Sequence, residues 1–162
     1  MKNCLARLGY ILQWKPEDVE ILTRRGILFH RMRRLAEALE DLGKAVTLSI
    51  AMSLVDQPNL DALRYRSLVL SEMRDVEAAL ADIASVVRQT KTDPLAISLR
   101  ATIRAGKGDL EAAKADMEVV QKALETGAGS QSTLADENRD LDLLAKGWAH
   151  SSVRPRSPKI AL

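Results

Sequence analysis

The chain has 162 residues and a net charge of +2, with Leu, Ala, Val and Ile supplying the apolar content and only five aromatic residues. Near-balanced charge argues against a dedicated nucleic-acid binder, which would carry a dominant basic face. A single cysteine, Cys4, excludes an intrachain disulfide, and no run approaches the roughly 18 apolar residues that cross a bilayer.

Residues 1–14 read as one amphipathic helix, with Cys4, Leu5, Leu8, Ile11 and Leu12 on one face. Arg7 interrupts any apolar run, so no signal peptide is expected, and the default is a soluble, cytoplasmic protein. Lys15-Pro16-Glu17-Asp18 ends this helix. A second carries Val19, Leu22, Gly26 and Phe29 and stops near His30–Arg34. A third runs from Leu35 through Ala38, Leu42, Ala45, Val46 and Ile50, past Met52 and Leu54, to a break at Asp56–Asn59.

The same unit then returns twice. Leu60, Leu63, Ser67 and Leu70 mark a first helix, and Val76, Ala79, Leu80, Ile83, Val86 and Val87 a second. After Thr90–Asp93, Ile97, Ala101 and Arg104 lie on a first helix, and Leu110, Ala113, Met117, Val120 and Leu124 on a second. The turns align as Met32-Arg33-Arg34-Leu35-Ala36-Glu37-Ala38, Met73-Arg74-Asp75-Val76-Glu77-Ala78-Ala79 and Lys107-Gly108-Asp109-Leu110-Glu111-Ala112-Ala113. The intervals are 41 and 34 residues, and the seven extra residues are about two helical turns. They lengthen a helix while keeping nearly the same face inward.

Small residues (Gly26, Ser67, Ala101) recur twelve positions before alanines (Ala38, Ala79, Ala113). Larger side chains follow (Leu42, Ile83, Met117), then smaller ones (Ala45, Val86, Val120). Small residues at a helix crossing let the axes approach within roughly 8–10 Å. This pattern resembles the tetratricopeptide repeat (TPR) family, whose unit is a helix–turn–helix of about 34 residues. The resemblance covers residues 1–125 and implies an all-α, right-handed solenoid of helical hairpins. Arg33 and Arg74 depart from it, standing where the family places a turn glycine. In the same frame Pro16 ends a second helix, so residues 1–14 are expected to be half of a repeat, either an atypical N-cap or part of a longer protein.

The expected organisation is a repeat array over 1–125 (1–16, 17–58, 59–93 and 94–125), a connector over 126–132, a capping helix over 133–150 and a disordered basic tail over 151–162. The connector is rich in Gly and Ser. The capping helix carries a Leu134, Leu141, Leu144 and Trp148 stripe suited to covering the last hairpin.

No catalytic residue, metal site or cofactor is expected. His30, His150 and Cys4 lack ligand spacing, and Gly106-Lys107-Gly108-Asp109 reads as a turn rather than a phosphate cradle. Glu37, Asp41, Glu77, Asp82, Glu111 and Asp116 read as solvated carboxylates outside the second helices. Arg24, Arg25, His30, Arg31, Arg33 and Arg34 form a basic cluster, read as a solvated turn, with an acidic-peptide or phosphate site as the alternative. The resemblance also implies a concave groove lined by first helices. The groove positions would be Glu20, Thr23, Ile27, His30 and Arg31, then Asp61, Arg64, Leu68 and Ser71, then Ser98 and Thr102. The family's carboxylate clamp is absent, because its positions hold Thr23, Ile27, Tyr65, Leu95 and Leu99. The expected function is a non-enzymatic scaffold or adaptor that binds a protein or peptide segment, with no nucleic-acid or membrane partner. Arg64→Glu would then weaken binding without changing thermal unfolding. The alternatives are self-association through Leu5, Leu8, Ile11 and Leu12, or a regulatory fragment of a larger protein or enzyme.

Overall fold

Five carboxylate or amide side chains set where helices begin. Asp18, Asn59, Asp75, Asp93 and Asp109 accept backbone N–H bonds from Ile21 (3.1 Å), Ala62 (2.9 Å), Ala78 (3.3 Å), Leu95 (3.0 Å) and Ala112 (3.4 Å). Each satisfies a donor that the first helical turn leaves without an intrahelical partner. A computed structural model describes residues 2–52, 59–91 and 93–125. The expected connector, capping helix and tail, and Leu54 and Pro58, lie outside the described residues. Seven α-helices occupy the described part: α1 (Lys2–Trp14), α2 (Val19–Arg31), α3 (Leu35–Met52), α4 (Leu60–Glu72), α5 (Val76–Thr90), α6 (Pro94–Lys107) and α7 (Leu110–Glu125).

The three hairpin turns are built identically. Arg33, Arg74 and Gly108 adopt left-handed φ values of 61°, 69° and 94°. The following N–H groups, of Arg34, Asp75 and Asp109, reach back five residues to the carbonyls of Phe29, Leu70 and Arg104 at 2.9, 2.9 and 3.0 Å. This is the Schellman closure, which normally favours glycine at the left-handed residue. Two arginines therefore hold a conformation that costs an L-residue with a Cβ about 1–2 kcal/mol. The four-residue turn expected at Gly106–Asp109 is shorter, because α6 continues through Lys107 and only Gly108 and Asp109 lie between the helices.

Helices pack in sequence order, α1 on α2 and so on to α7, and α4 also touches both α2 and α6. No comparable contact joins α3 to α5 or α5 to α7. The first helices of successive hairpins are thus drawn together and the second helices are not, which puts α2, α4 and α6 on the inner side of the stack. Among the described residues this is the all-α hairpin solenoid that the repeat pattern implies.

The crossings are tight where the repeat demands small residues. Ala38, Ala79 and Ser67 are fully buried, with Leu42 and Ile83 beside them in the core. A Cβ added at Gly26 would lie 2.7 Å from Leu42 Cγ. Met117 departs from the expected pattern: it is 49% exposed, on an α7 that also leaves Leu110, Val119 and Leu124 exposed. Within the described residues α3 is longer than its counterpart α5, 18 residues against 15, as the wider spacing of the first unit implies.

The carboxylates read as solvated divide into two groups. Glu77 and Glu111 are exposed, and the Glu37 side chain, paired with Arg34, keeps 42% of its exposure. Asp41, Asp82 and Asp116 are instead buried, at 2%, 8% and 4% exposure, and each is gripped by an arginine of the preceding helix. Arg25 Nε and Nη2 donate to Asp41 at 2.6 and 2.7 Å, Arg66 to Asp82 at 2.6 and 2.6 Å, and Arg100 to Asp116 at 2.9 and 2.6 Å. Arg104 adds a further bond to Asp116 at 2.8 Å. Desolvating a carboxylate is costly, and two parallel charge-assisted bonds are what offset it.

Candidate interaction surface

The inner helices carry all the positions expected to line a groove, but burial sorts them. Thr23, Ile27 and Arg64 are buried at 4%, 7% and 7% exposure. The Thr23 hydroxyl donates to the Val19 carbonyl at 2.7 Å, within its own helix. Arg64 Nη2 donates to Asp93 at 2.7 Å and its Nη1 to Asp61 at 3.2 Å, so this guanidinium ties the N-terminal end of α6 to α4. His30, Leu68, Ser71 and Ser98 are half-buried, while Glu20, Arg31, Asp61 and Thr102 are exposed.

One of the expected positions meets other inner-face residues across the first hairpin boundary. His30 lies 3.1 Å from Glu72 through Nε2, and its ring meets Tyr65 edge-on at 6.4 Å. Arg33 Nη1 donates to the other Glu72 oxygen at 2.7 Å. Asp61 is joined to Arg64 on the same helix. On α6 the face is uncharged: Leu95, Ser98 and Thr102, with the Thr102 hydroxyl turned onto the Ser98 carbonyl at 3.0 Å.

The basic cluster dissolves into internal pairs. Arg24 donates to Glu20 at 2.7 Å, Arg25 grips Asp41, His30 and Arg33 share Glu72, and Arg34 pairs with Glu37. The Arg25 and Arg34 guanidinium carbons also sit 5.7 and 4.6 Å from the Phe29 ring centre. The hydrogen bond to Asp41 raises the pKa of Arg25 above the ordinary arginine range, and that to Glu37 does the same for Arg34. Charges already engaged by neighbours offer less to an incoming phosphate or acidic peptide. The signal for this was in the sequence: an arginine precedes an aspartate by sixteen residues at the same register in each of the three hairpins.

Of the residues considered for self-association, Leu8 and Leu12 are buried and Leu5 and Ile11 half-buried. The exposed side chains on α1 include Arg7, Tyr10 and Trp14, with the two aromatic rings edge-on at 6.4 Å. Among the described residues no group of three or more His, Cys, Asp or Glu side chains is placed to hold a metal ion, and no helix is long and apolar enough to cross a membrane.

No family model matches the sequence, and no curated protein matches it. Solved structures do. A MamA crystal structure superposes with a TM-score of 0.63 at 16% identity, covering 72% of this chain and 64% of that one. The MamA RS-1 ArsTM double mutant gives 0.66 at 16% identity, over 78% of this chain and 67% of that one. A tetratricopeptide repeat protein from Parabacteroides merdae gives 0.64 at 18% identity, over 88% of this chain and 52% of that one. The chain thus spans under two thirds of that first MamA chain and about half of the Parabacteroides protein. At these identities the likeness establishes the fold, a TPR-like helical-repeat solenoid.

Proposed function

We propose that the chain is a non-catalytic scaffold or adaptor in the cytoplasm that binds a segment of a partner protein along the face shared by α2, α4 and α6. The observation that carries this reading is the direct packing of α4 on both α2 and α6, which joins three helices into one continuous surface. Proteins of this fold are built to present such a surface, because each hairpin contacts only its neighbours and the stack is extended.

The burial pattern shifts the proposed anchors from those expected. Arg64, Thr23 and Ile27 serve the fold. Leu68, Ser71, Ser98 and Thr102 form an uncharged strip, and the paired Glu20, Asp61 and His30 with Arg31 give its polar rim. Modest apolar burial around a few hydrogen-bonding groups suits an extended or helical segment with small apolar side chains. The test is affinity capture from the native cell with wild type beside a Leu68→Glu, Ser98→Arg double variant of matched melting temperature. The expected result is a partner lost selectively by the variant and restored to binding in a purified titration with wild type alone. An identical set of captured proteins would overturn the reading.

A further inference from the structure

The regular hairpins define what the open side of α1 should receive. Each second helix carries a buried aspartate three residues after its alanine, and the preceding helix supplies the arginine that grips it. α1 is a second helix in the same register. Arg7 precedes the helix-capping Asp18 by eleven residues, as Asp82 precedes the capping Asp93. Leu8 and Leu12 then fall at the places of Leu42 and Val46, and all four are buried. In this register Arg7 occupies the aspartate's position, so the charge at the clasp is reversed. Beside it run half-buried Cys4 and Ile11 and the 74% exposed Trp14, at the three- and four-residue spacing of one helical face. α1 itself contains no acidic residue.

We propose that this face of α1 is a docking site for an amphipathic helix of a partner protein that carries a carboxylate where this chain's own first helices carry arginine. The three first helices read Leu22-x-x-Arg25-Gly26, Leu63-x-x-Arg66-Ser67 and Ile97-x-x-Arg100-Ala101. The complementary helix therefore has an aliphatic residue, two others, Asp or Glu, then Gly, Ser or Ala. The small residue lets the helix approach α1 closely, the aliphatic residue lies along the apolar stripe, and the carboxylate meets Arg7. A guanidinium has five N–H donors and can donate to this carboxylate alongside its other contacts. No stretch of this chain has that order: the acid–small pairs at Glu37-Ala38, Asp61-Ala62, Glu77-Ala78 and Glu111-Ala112 are preceded, four positions before the small residue, by Arg34, Pro58, Arg74 and Gly108. A second copy of these 162 residues therefore does not supply this helix.

The test titrates the full chain calorimetrically with two lactam-stapled peptides spanning residues 59–73, one unsubstituted and one carrying R66E, both verified as helical. The R66E peptide should bind wild type roughly tenfold more tightly or better, since like charges at a close pair are strongly disfavoured. Arg7→Glu should reverse the preference, Arg7→Gln should erase it, and Trp14→Ala should weaken both peptides. Leu68→Glu on the inner face should change nothing here, which separates this site from the proposed groove. Absence of binding, equal affinities for the two peptides, or binding unaffected by Arg7→Glu would overturn the proposal. So would light scattering that shows a wild-type dimer dissociated by Arg7→Glu, because a second copy would then hold the face.

Discussion

Arg66 on α4 donates two hydrogen bonds, each 2.6 Å long, to the two carboxylate oxygens of Asp82 on α5, sixteen residues on. The pair bridges the two helices of one hairpin beside the fully buried Ser67 and Ala79. Its geometry locks the rotation of one helix against the other, because a slip by one residue would separate the fork from its acceptor. Asp82→Ala should lower stability by about 2–4 kcal/mol, less than a fully buried pair would lose because the Arg66 side chain keeps 24% of its exposure. Replacing both residues with leucine should cost less than the single change, since no charge is then left behind. Chemical denaturation of the two singles and the double measures this directly. Additive losses would mean the two groups act independently.

The left-handed turn residues make a prediction of opposite sign. Arg74 has φ 69°, and Gly108 has φ 94° at the equivalent place. Arg74→Gly should raise stability by about 0.5–1 kcal/mol, the relief of the left-handed strain less the extra freedom glycine gives the unfolded chain. Gly108→Ala should lower it by about 1 kcal/mol. Arg33→Gly should gain less than Arg74→Gly, because Arg33 also donates to Glu72 across the hairpin boundary at 2.7 Å. Thermal melts of the three variants order them.

At the helix crossings, volume decides. Ala79 is fully buried between α4 and α5, and Ala79→Leu inserts three carbons where Ser67 and Ile83 already fill the space. The expected loss is about 1–3 kcal/mol. Gly26→Ala tests the same contact more finely. The new methyl would lie 2.7 Å from Leu42 Cγ, so Leu42 must move. A further Leu42→Val change should recover part of that loss relative to Leu42→Val alone, and a double-mutant cycle reads the coupling.

The fold was legible because its determinants are local and repeated. Gly26, Ser67 and Ala101, set twelve residues before Ala38, Ala79 and Ala113, marked the crossing positions through the pattern that resembles the TPR repeat, and the structure buries all six. The ion pairs were harder to see. A helical wheel places Asp41, Asp82 and Asp116 toward the edge of a second helix, and only the neighbouring helix decides whether that edge is wet. The repeated arginine sixteen residues earlier was the available signal, and Arg25 was obscured by the other basic residues around it. The groove positions were the least legible. Their backbone places follow from the repeat, but whether a side chain points into a partner or into Asp93 depends on how one hairpin stacks on the next.

Acid should expose the surface pairs on α3. The carboxyl groups of Glu37 and Glu40 are held below the ordinary carboxylate range, first by hydrogen bonds from Arg34 and Lys44 respectively. A carboxyl whose pKa is lower folded than unfolded contributes stability above its unfolded value and loses it as the pH falls through the folded value. The Glu37→Gln, Glu40→Gln variant should therefore differ from wild type at neutral pH and converge on it below about pH 4. Both groups are exposed, so added salt should shrink the neutral-pH difference. A difference that persists unchanged at low pH would show that packing, and not charge, separates the two proteins.

Arg64 supplies the sharpest reversal of a sequence expectation. Its side chain is 8% exposed and donates to Asp93, whose other oxygen caps α6 through the Leu95 N–H at 3.0 Å. One carboxylate thus starts α6 and fastens it to α4. Arg64→Glu would set a buried carboxylate against Asp93 and Asp61, so it should destabilise the chain by about 3 kcal/mol or more, in place of the neutral effect expected for a groove residue. Asp93→Asn keeps a capping group while removing the charge, and should cost less than Asp93→Ala, which loses both. Hydrogen exchange locates the damage. Amides in the first turn of α6 should lose protection in each variant, while those of the α2–α3 hairpin keep theirs. If Arg64→Glu leaves the melting temperature and α6 protection unchanged, Arg64 is not the tie between the second and third hairpins.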